Sequence, residues 1–196
     1  DAPKTYTDVS LAIDFDTESL LSAEEIQNPD FTRHLKTALQ NGVIPARALE
    51  LEVTESMIMQ DTAKAIAAIR DLSDLGVRFS IDDFGTGYSS LVYLKHFPVD
   101  VLKIDRTFVA DIGHDADDLA IVSAVVQLAY KLQMKVVAEG VETAQQCELL
   151  QANGCPLMQG YFFARPMPFD DFERLLAAGQ PLHLPVEPQA GQGGMR

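Results

Sequence analysis

The sequence predicts an α/β fold: a (β/α)8 TIM-type barrel, incomplete at the amino end, with about six βα units in this chain. Three observations predict it. Short apolar runs rich in β-branched residues alternate with helix-length segments, the pattern of parallel strands joined by crossover helices. Run after run ends on an acid, as in Leu51-Glu52-Val53, Ile81-Asp82-Asp83, Lys103-Ile104-Asp105 and Val137-Ala138-Glu139. No glycine fingerprint of a dinucleotide-binding sheet occurs, so acids gathered at one strand-end rim fit a barrel better.

Residues 9–15, Val-Ser-Leu-Ala-Ile-Asp-Phe, read as a first strand. Asn28-Pro29-Asp30 starts a helix with proline at its first position, and Gly42 closes it. A strand at 49–54 follows. Asp61 caps a helix over 62–75, whose Ala65, Ile66, Ile69 and Leu72 share a face, and Gly76 stops it. A strand at 77–82 runs into the glycine-bearing loop 83–90. The strand 101–104 precedes a helix from about 117 to 133. The strand 135–139 precedes a helix over 144–153, capped by Thr143 and stopped by Gly154. A last strand at 157–162 and a last helix at 169–178 complete residues 1–180 as one domain. Residues 181–196 form a flexible Pro/Gly/Gln-rich tail. A closed barrel uses about 250 residues, so the chain is about two βα units short, with the deficit at the amino end.

The 196 residues are 47% hydrophobic and carry a net charge of −14. Such a balance excludes duplex nucleic acid as a partner, because phosphate recognition needs a basic face. A phosphate-bearing ligand would need cations to bridge it to the acids. No apolar run approaches the roughly 20 residues of a membrane span, no secretory signal opens the chain, and a cytoplasmic location is expected. Cys147 and Cys155 read as reduced thiols in or near the core. His34, His96, His114 and His183 are scattered without ligand spacing and read as surface or satisfied residues.

Candidate site residues follow from what each strand end has no neutral reason to carry. Glu52 alternates against Leu51 and Val53, which turns it inward near the rim; Glu50 and Glu55 also read as ordinary solvated acids. Asp82 and Asp83 are neighbours whose side chains point opposite ways in a strand, so both reach one metal only if the strand ends between them. A helix cap would explain one of the two. Lys103 interrupts an apolar strand. It either orients a water and neutralises developing charge, or forms a structural salt bridge to Asp105. Glu139 repeats the strand-end logic before Gly140. Gln159, placed in the last strand, suits a water or an anionic oxygen. An all-oxygen donor set favours Mg²⁺ or Mn²⁺ over zinc.

Leu-Glu-Val-Thr-Glu-Ser (51–56), Ile-Asp-Asp-Phe-Gly-Thr-Gly-Tyr-Ser-Ser-Leu (81–91), Leu-Lys-Ile-Asp (102–105), Val-Ala-Glu-Gly-Val-Glu-Thr (137–143) and Gln-Gly-Tyr-Phe-Phe-Ala-Arg-Pro (159–166) closely resemble the EAL domain of cyclic di-GMP phosphodiesterases. The resemblance runs from about residue 28 to residue 178. It implies a (β/α)8 barrel that uses two Mg²⁺ or Mn²⁺ ions to hydrolyse cyclic di-GMP to pGpG. It implies Glu52, Asp82, Asp83 and Glu139 as metal ligands, Lys103 at the attacking water, and Gln159 near it. Glu55 resembles the glutamate that anchors the loop 83–90, used for metal binding and for communication across a homodimer. Fusion to sensor or GGDEF domains in a longer protein is a further implication.

Two departures stand out. The Glu-Ala-Leu signature, which supplies a ligand from an early strand, occurs nowhere. The family's asparagine ligand is replaced: aligned on residues 11–16, Asp14 takes its place as a metal ligand, whereas aligned on residues 20–23 Leu20 stands there and no ligand remains. The first alignment is preferred. Three hypotheses follow: a metal-dependent phosphodiesterase, a cyclic di-GMP receptor or regulatory module without turnover, and an incomplete barrel serving as an interaction domain. Exposed sheet edges on such an arc add a second reason to expect a dimer.

Overall fold

The computed structural model describes residues 28–42, 45–55, 62–86 and 94–178. Five parallel strands lie among these residues in the order in which the chain presents them. They are β1 Glu50–Thr54, β2 Arg78–Phe84, β3 Val101–Ile104, β4 Lys135–Ala138 and β5 Leu157–Met158. The described helices are α1 Pro29–Gln40, α2 Thr62–Ser73, α3 Arg106–Ala110, α4 Ala116–Lys131, α5 Ala144–Ala152 and α6 Phe169–Ala178. A parallel sheet whose spatial order never reverses is an arc of a barrel; a doubly wound sheet reverses at its switch point. The fold class read from the sequence is therefore the one found.

Local chemistry explains the helix ends. Asn28 accepts a hydrogen bond from the Asp30 N–H at 2.9 Å, and Pro29 sits where no N–H is needed. Thr143 and Gln146 close a capping box on α5. Gly42 and Gly76 adopt φ of 70° and 92° beyond α1 and α2, conformations that cost a side chain dearly.

The core fills one side of the sheet. Val53, Phe79, Ile81, Leu102, Ile104 and Ala138 pack against Ile69 and Leu72 of α2, Val122 and Ala129 of α4, and Leu150 of α5, all nearly inaccessible to solvent. Strand alternation sends the residues between them to the opposite side: Glu50 and Glu52 on β1, Arg78, Ser80 and Asp82 on β2, Lys103 on β3. Val101 and Val137 share that face with these polar side chains, and Arg78 and Glu50 pair at 3.4 Å below the carboxyl rim.

Some expectations fall outside the described residues, some are corrected and some agree with the structure. The strand at 9–15, and Asp14 with it, lies outside the described residues, as do loop residues 87–90 and the tail. β2 runs on through Phe84 and does not stop at residue 82. The last strand ends at Met158, because the chain turns at Gly160 to pass against Val141. α3 has no counterpart in the sequence reading; its five residues are too few to show a period. Among the described residues, no helix is long and apolar enough to cross a membrane. Cys147 and Cys155 are buried and not joined in a disulfide, and His34, His96 and His114 are exposed.

Candidate functional site

Strand register decides which side chains meet at the rim. Glu52 stands opposite Ser80, Thr54 opposite Asp82, and Lys103 opposite Val137. The Lys103 Nζ lies 2.8 Å from Glu52 Oε1, 3.2 Å from Asp82 Oδ1 and 2.7 Å from Glu139 Oε1. Its side chain is only 8% exposed, so the charge it carries is compensated by carboxylates and not by bulk water. Burial alone would favour the neutral amine. The attraction and hydrogen bonding of Glu139, with Glu52 and Asp82, outweigh burial and hold the ammonium above the usual lysine range. Lys103 is thus a hydrogen-bond donor at neutral pH and not a proton acceptor. Burial pushes the Glu139 carboxyl up, with Lys103 opposing it and Asp82 and Glu52 adding to it.

Asp105 takes no part in this cluster, which removes the salt bridge to Lys103 that the sequence offered as an alternative. Its carboxylate accepts from the Thr107 N–H at 2.9 Å and from the Thr107 hydroxyl, capping α3. Burial would raise the Asp105 carboxyl, yet the Thr107 bonds, a bond from Asp83 and the charge of Arg106 hold it below the usual carboxylate range.

The Asp82-Asp83 pair is arranged by a β-bulge, not by a strand end. Ile81 pairs with Leu102 and Phe84 with Ile104, so two residues of β2 face Lys103 alone. The extra residue bends the strand and re-aims its neighbour. Asp83 takes up the bend at φ 52°, in the left-handed region that aspartate tolerates better than most residues. Asp82 stays on the polar face beside Lys103, while Asp83 hydrogen-bonds Asp105. Burial, that bond and the Asp82 charge raise the Asp83 carboxyl. Gly85 follows at φ 100°, where an added Cβ would lie 2.9 Å from the Phe108 ring.

Glu139 sits one residue past β4, its N–H bonded to the Ile104 carbonyl at 3.1 Å. Gly140 then turns the chain at φ 70° so closely over α3 that a Cβ would come within 2.5 Å of Arg106 Cβ. Glu55, just past β1, is buried with both carboxylate oxygens lacking a hydrogen-bond partner among the described residues. Gln159 lies beyond β5 with its side chain exposed, contrary to its expected place within a strand; its N–H still reaches the Ala138 carbonyl at 2.8 Å. The structure thus brings Glu52, Asp82, Lys103 and Glu139 together, sets Asp83 next to Asp82 in the bulge, and leaves Glu55 and Gln159 just past the ends of β1 and β5. Asp105, as the cap of α3, and Gln146, bonded to the turn after Glu139, are supporting residues that were not among the candidate site residues read from the sequence. For Asp105 the available signal was an acid directly before a short Arg-Thr-Phe-Val run.

The donor set fits a hard divalent cation. All of its candidate ligands are carboxylate oxygens. Asp82 Oδ1 is buried, close enough to Lys103 for an ion pair yet misaligned for a hydrogen bond, so its lone pairs are unused. Among the described residues, no three acidic, histidine or cysteine side chains already converge on one point. The ammonium takes the centre, and holding a divalent ion requires carboxylates to turn away from it.

Residues 8–166 match the family model described as the EAL domain. The chain is 49% identical over 149 residues to the cyclic di-GMP phosphodiesterase NbdA of Pseudomonas aeruginosa, a match covering 76% of this chain and 19% of that protein. The chain therefore spans about a fifth of that relative's length. Among solved structures, the PaMucR phosphodiesterase in complex with c-di-GMP superposes with a TM-score of 0.73 at 47% identity, over 78% of this chain and 62% of that one. The manganese/cy-diGMP complex of BlrP1 from Klebsiella pneumoniae gives a TM-score of 0.66 at 36% identity, over 71% of this chain and 36% of that one.

Proposed function

The chain belongs to the EAL domain family, and from that premise we propose that it is a metal-dependent phosphodiesterase that hydrolyses cyclic di-GMP to pGpG. The observation that carries the reading is the Lys103 ammonium buried among Glu52, Asp82 and Glu139 at the carboxyl ends of three strands. Such an arrangement is costly for stability alone and useful for an anionic transition state.

Glu52, Asp82, Asp83 and Glu139 would hold Mg²⁺ or Mn²⁺, with Asp14 contributing from the amino-terminal segment. When bound, such ions lower the pKa of a coordinated water and offset charge on the phosphoryl oxygens. Lys103 donates to the attacking water or to a phosphoryl oxygen and cannot serve as the base, since it is held protonated. Gln159, exposed just past β5, would donate to a ligand oxygen. Glu55, buried with both carboxylate oxygens lacking a hydrogen-bond partner among the described residues, would anchor the loop that follows Gly85. The protein is proposed to act as a homodimer in the cytoplasm, attached to sensor or GGDEF domains in a longer protein.

Turnover of cyclic di-GMP with Mg²⁺, with Mn²⁺ and with EDTA tests the reading; metal-dependent pGpG is expected, and its absence sinks it. A second reading, a cyclic di-GMP receptor without turnover, is favoured by the lack of a Glu-Ala-Leu segment in the sequence. Saturable binding of cyclic di-GMP with no product selects that reading.

A further inference from the structure

We propose that Gln146 is a positioning residue for Glu139, acting as a strut between the turn 139–143 and α3. The inference rests on the reading that Glu139 is a metal ligand. Gln146 is buried, and both ends of its amide are engaged. Its Oε1 accepts from the Glu142 N–H at 2.7 Å and from the Thr143 N–H at 2.9 Å. Its Nε2 donates to the Ala110 carbonyl at 3.0 Å, across 36 residues of sequence.

A capping box accounts for part of this. It requires Gln146 to reach the Thr143 N–H while Thr143 Oγ1 accepts from the Gln146 N–H at 3.2 Å. The bonds to Glu142 and Ala110 lie outside that motif. They fasten the turn to the carboxyl end of α3, while Gly140 is pressed against Arg106 at the other end of the same helix. Gly160 closes the third side: a Cβ there would fall 2.1 Å from the Val141 carbonyl oxygen. The turn that carries Glu139 is therefore held by α3 at both ends, and α3 begins at Asp105, which bonds Asp83 of the bulge. One short helix sets Glu139 and the Asp82-Asp83 bulge relative to each other, and Gln146 is the hydrogen-bonded tie between that helix and the turn.

Amide hydrogen exchange and Mn²⁺ titration of the full chain test the proposal with Gln146→Met, Gln146→Glu and Thr143→Ala. Gln146→Met keeps the side chain's length and removes all three bonds. It should speed exchange at Glu139 and Glu142 by about tenfold or more and weaken Mn²⁺ binding severalfold. Gln146→Glu keeps both accepted bonds and loses the one to Ala110; it should leave Glu142 protected and still free Glu139. Thr143→Ala removes only the helix cap, so it should lower stability with Glu139 exchange and Mn²⁺ affinity within about twofold of wild type. Unchanged Glu139 exchange in either Gln146 variant overturns the strut, as does an equal change in Thr143→Ala. If the wild-type chain binds no Mn²⁺, the metal reading falls by itself, and Glu139 exchange alone decides the strut.

Discussion

Replacing Lys103 with methionine isolates what the buried ammonium does for the rim. The side chain keeps its length and apolar stem, and only the charge is lost. Glu52, Asp82 and Glu139, each within 3.2 Å of Nζ, are left facing one another without a counter-charge. Breaking a buried ion pair by removing one partner costs about 3–5 kcal/mol. Because the Glu52 side chain is 32% exposed and keeps some hydration, the lower end applies, about 3 kcal/mol. For a chain of this size that lowers Tm by about 6–12 °C at pH 8 without divalent ions.

The deficit must also depend on pH with a definite sign. Without the ammonium that opposes it, the Glu139 carboxyl, already raised by burial, rises further above its unfolded value. A group raised in this way contributes stability that is fully present below its unfolded pKa and is lost as pH rises through the folded one. The Tm gap between Lys103→Met and wild type should therefore narrow from pH 8 toward pH 5. Millimolar Mn²⁺ should raise Tm more in the variant than in wild type. Differential scanning calorimetry across that range measures both effects. A gap that stays constant with pH, or a variant as stable as wild type at pH 8, refutes the account of Lys103 as the charge that holds the rim together.

Asp83→Asn keeps a side chain suited to φ 52°, so it should cost no measurable stability while weakening Mn²⁺ binding; equal calorimetric affinity in variant and wild type would remove Asp83 from the ligand set. Gly160→Ala drives a methyl group into the Val141 backbone, with its oxygen at 2.1 Å and its nitrogen at 2.3 Å, and should cost about 3 kcal/mol or more in urea unfolding. Burial pushes the Cys155 thiol up to about 12, so native Cys155 should resist iodoacetamide at pH 8 and react readily in urea, as read by peptide mass spectrometry; fast native alkylation would contradict its burial. The same shift contributes stability that is whole below an ordinary thiol pKa of about 8.5 and declines as pH rises toward 12.

What the sequence made legible was whatever neighbours in the chain decide. Asn28-Pro29 and Thr143 announced α1 and α5 because a cap acts within three residues. The run Val101–Ile104 was correctly bounded because its flanks, Asp100 and Asp105, turn the chain. Glu52, Asp82, Lys103 and Glu139 could be selected because a charge inside an apolar run is locally anomalous. The bulge was not legible. It is a mismatch of register between β2 and β3, and register belongs to the pair of strands, not to either sequence. The alternative of a Lys103 salt bridge to Asp105 fails for the same reason. Asp105 is nearer in sequence, yet its carboxylate is claimed by Thr107, and the three acids that hold the ammonium come from outside β3.

The charge balance of the rim connects these pieces. Three carboxylates around one ammonium leave two negative charges in a half-buried site. Protons can relieve this excess, which is the direction in which Glu139 is already displaced, or a divalent cation can. The bulge keeps the second outcome open. By carrying Asp83 over to Asp105, it spares Lys103 a fourth carboxylate and leaves Asp82 Oδ1 without a hydrogen bond. A rim built only for stability would have matched its acids with an equal number of bases. This one is short of positive charge by about the charge of a divalent ion, at the strand ends where the candidate ligands meet.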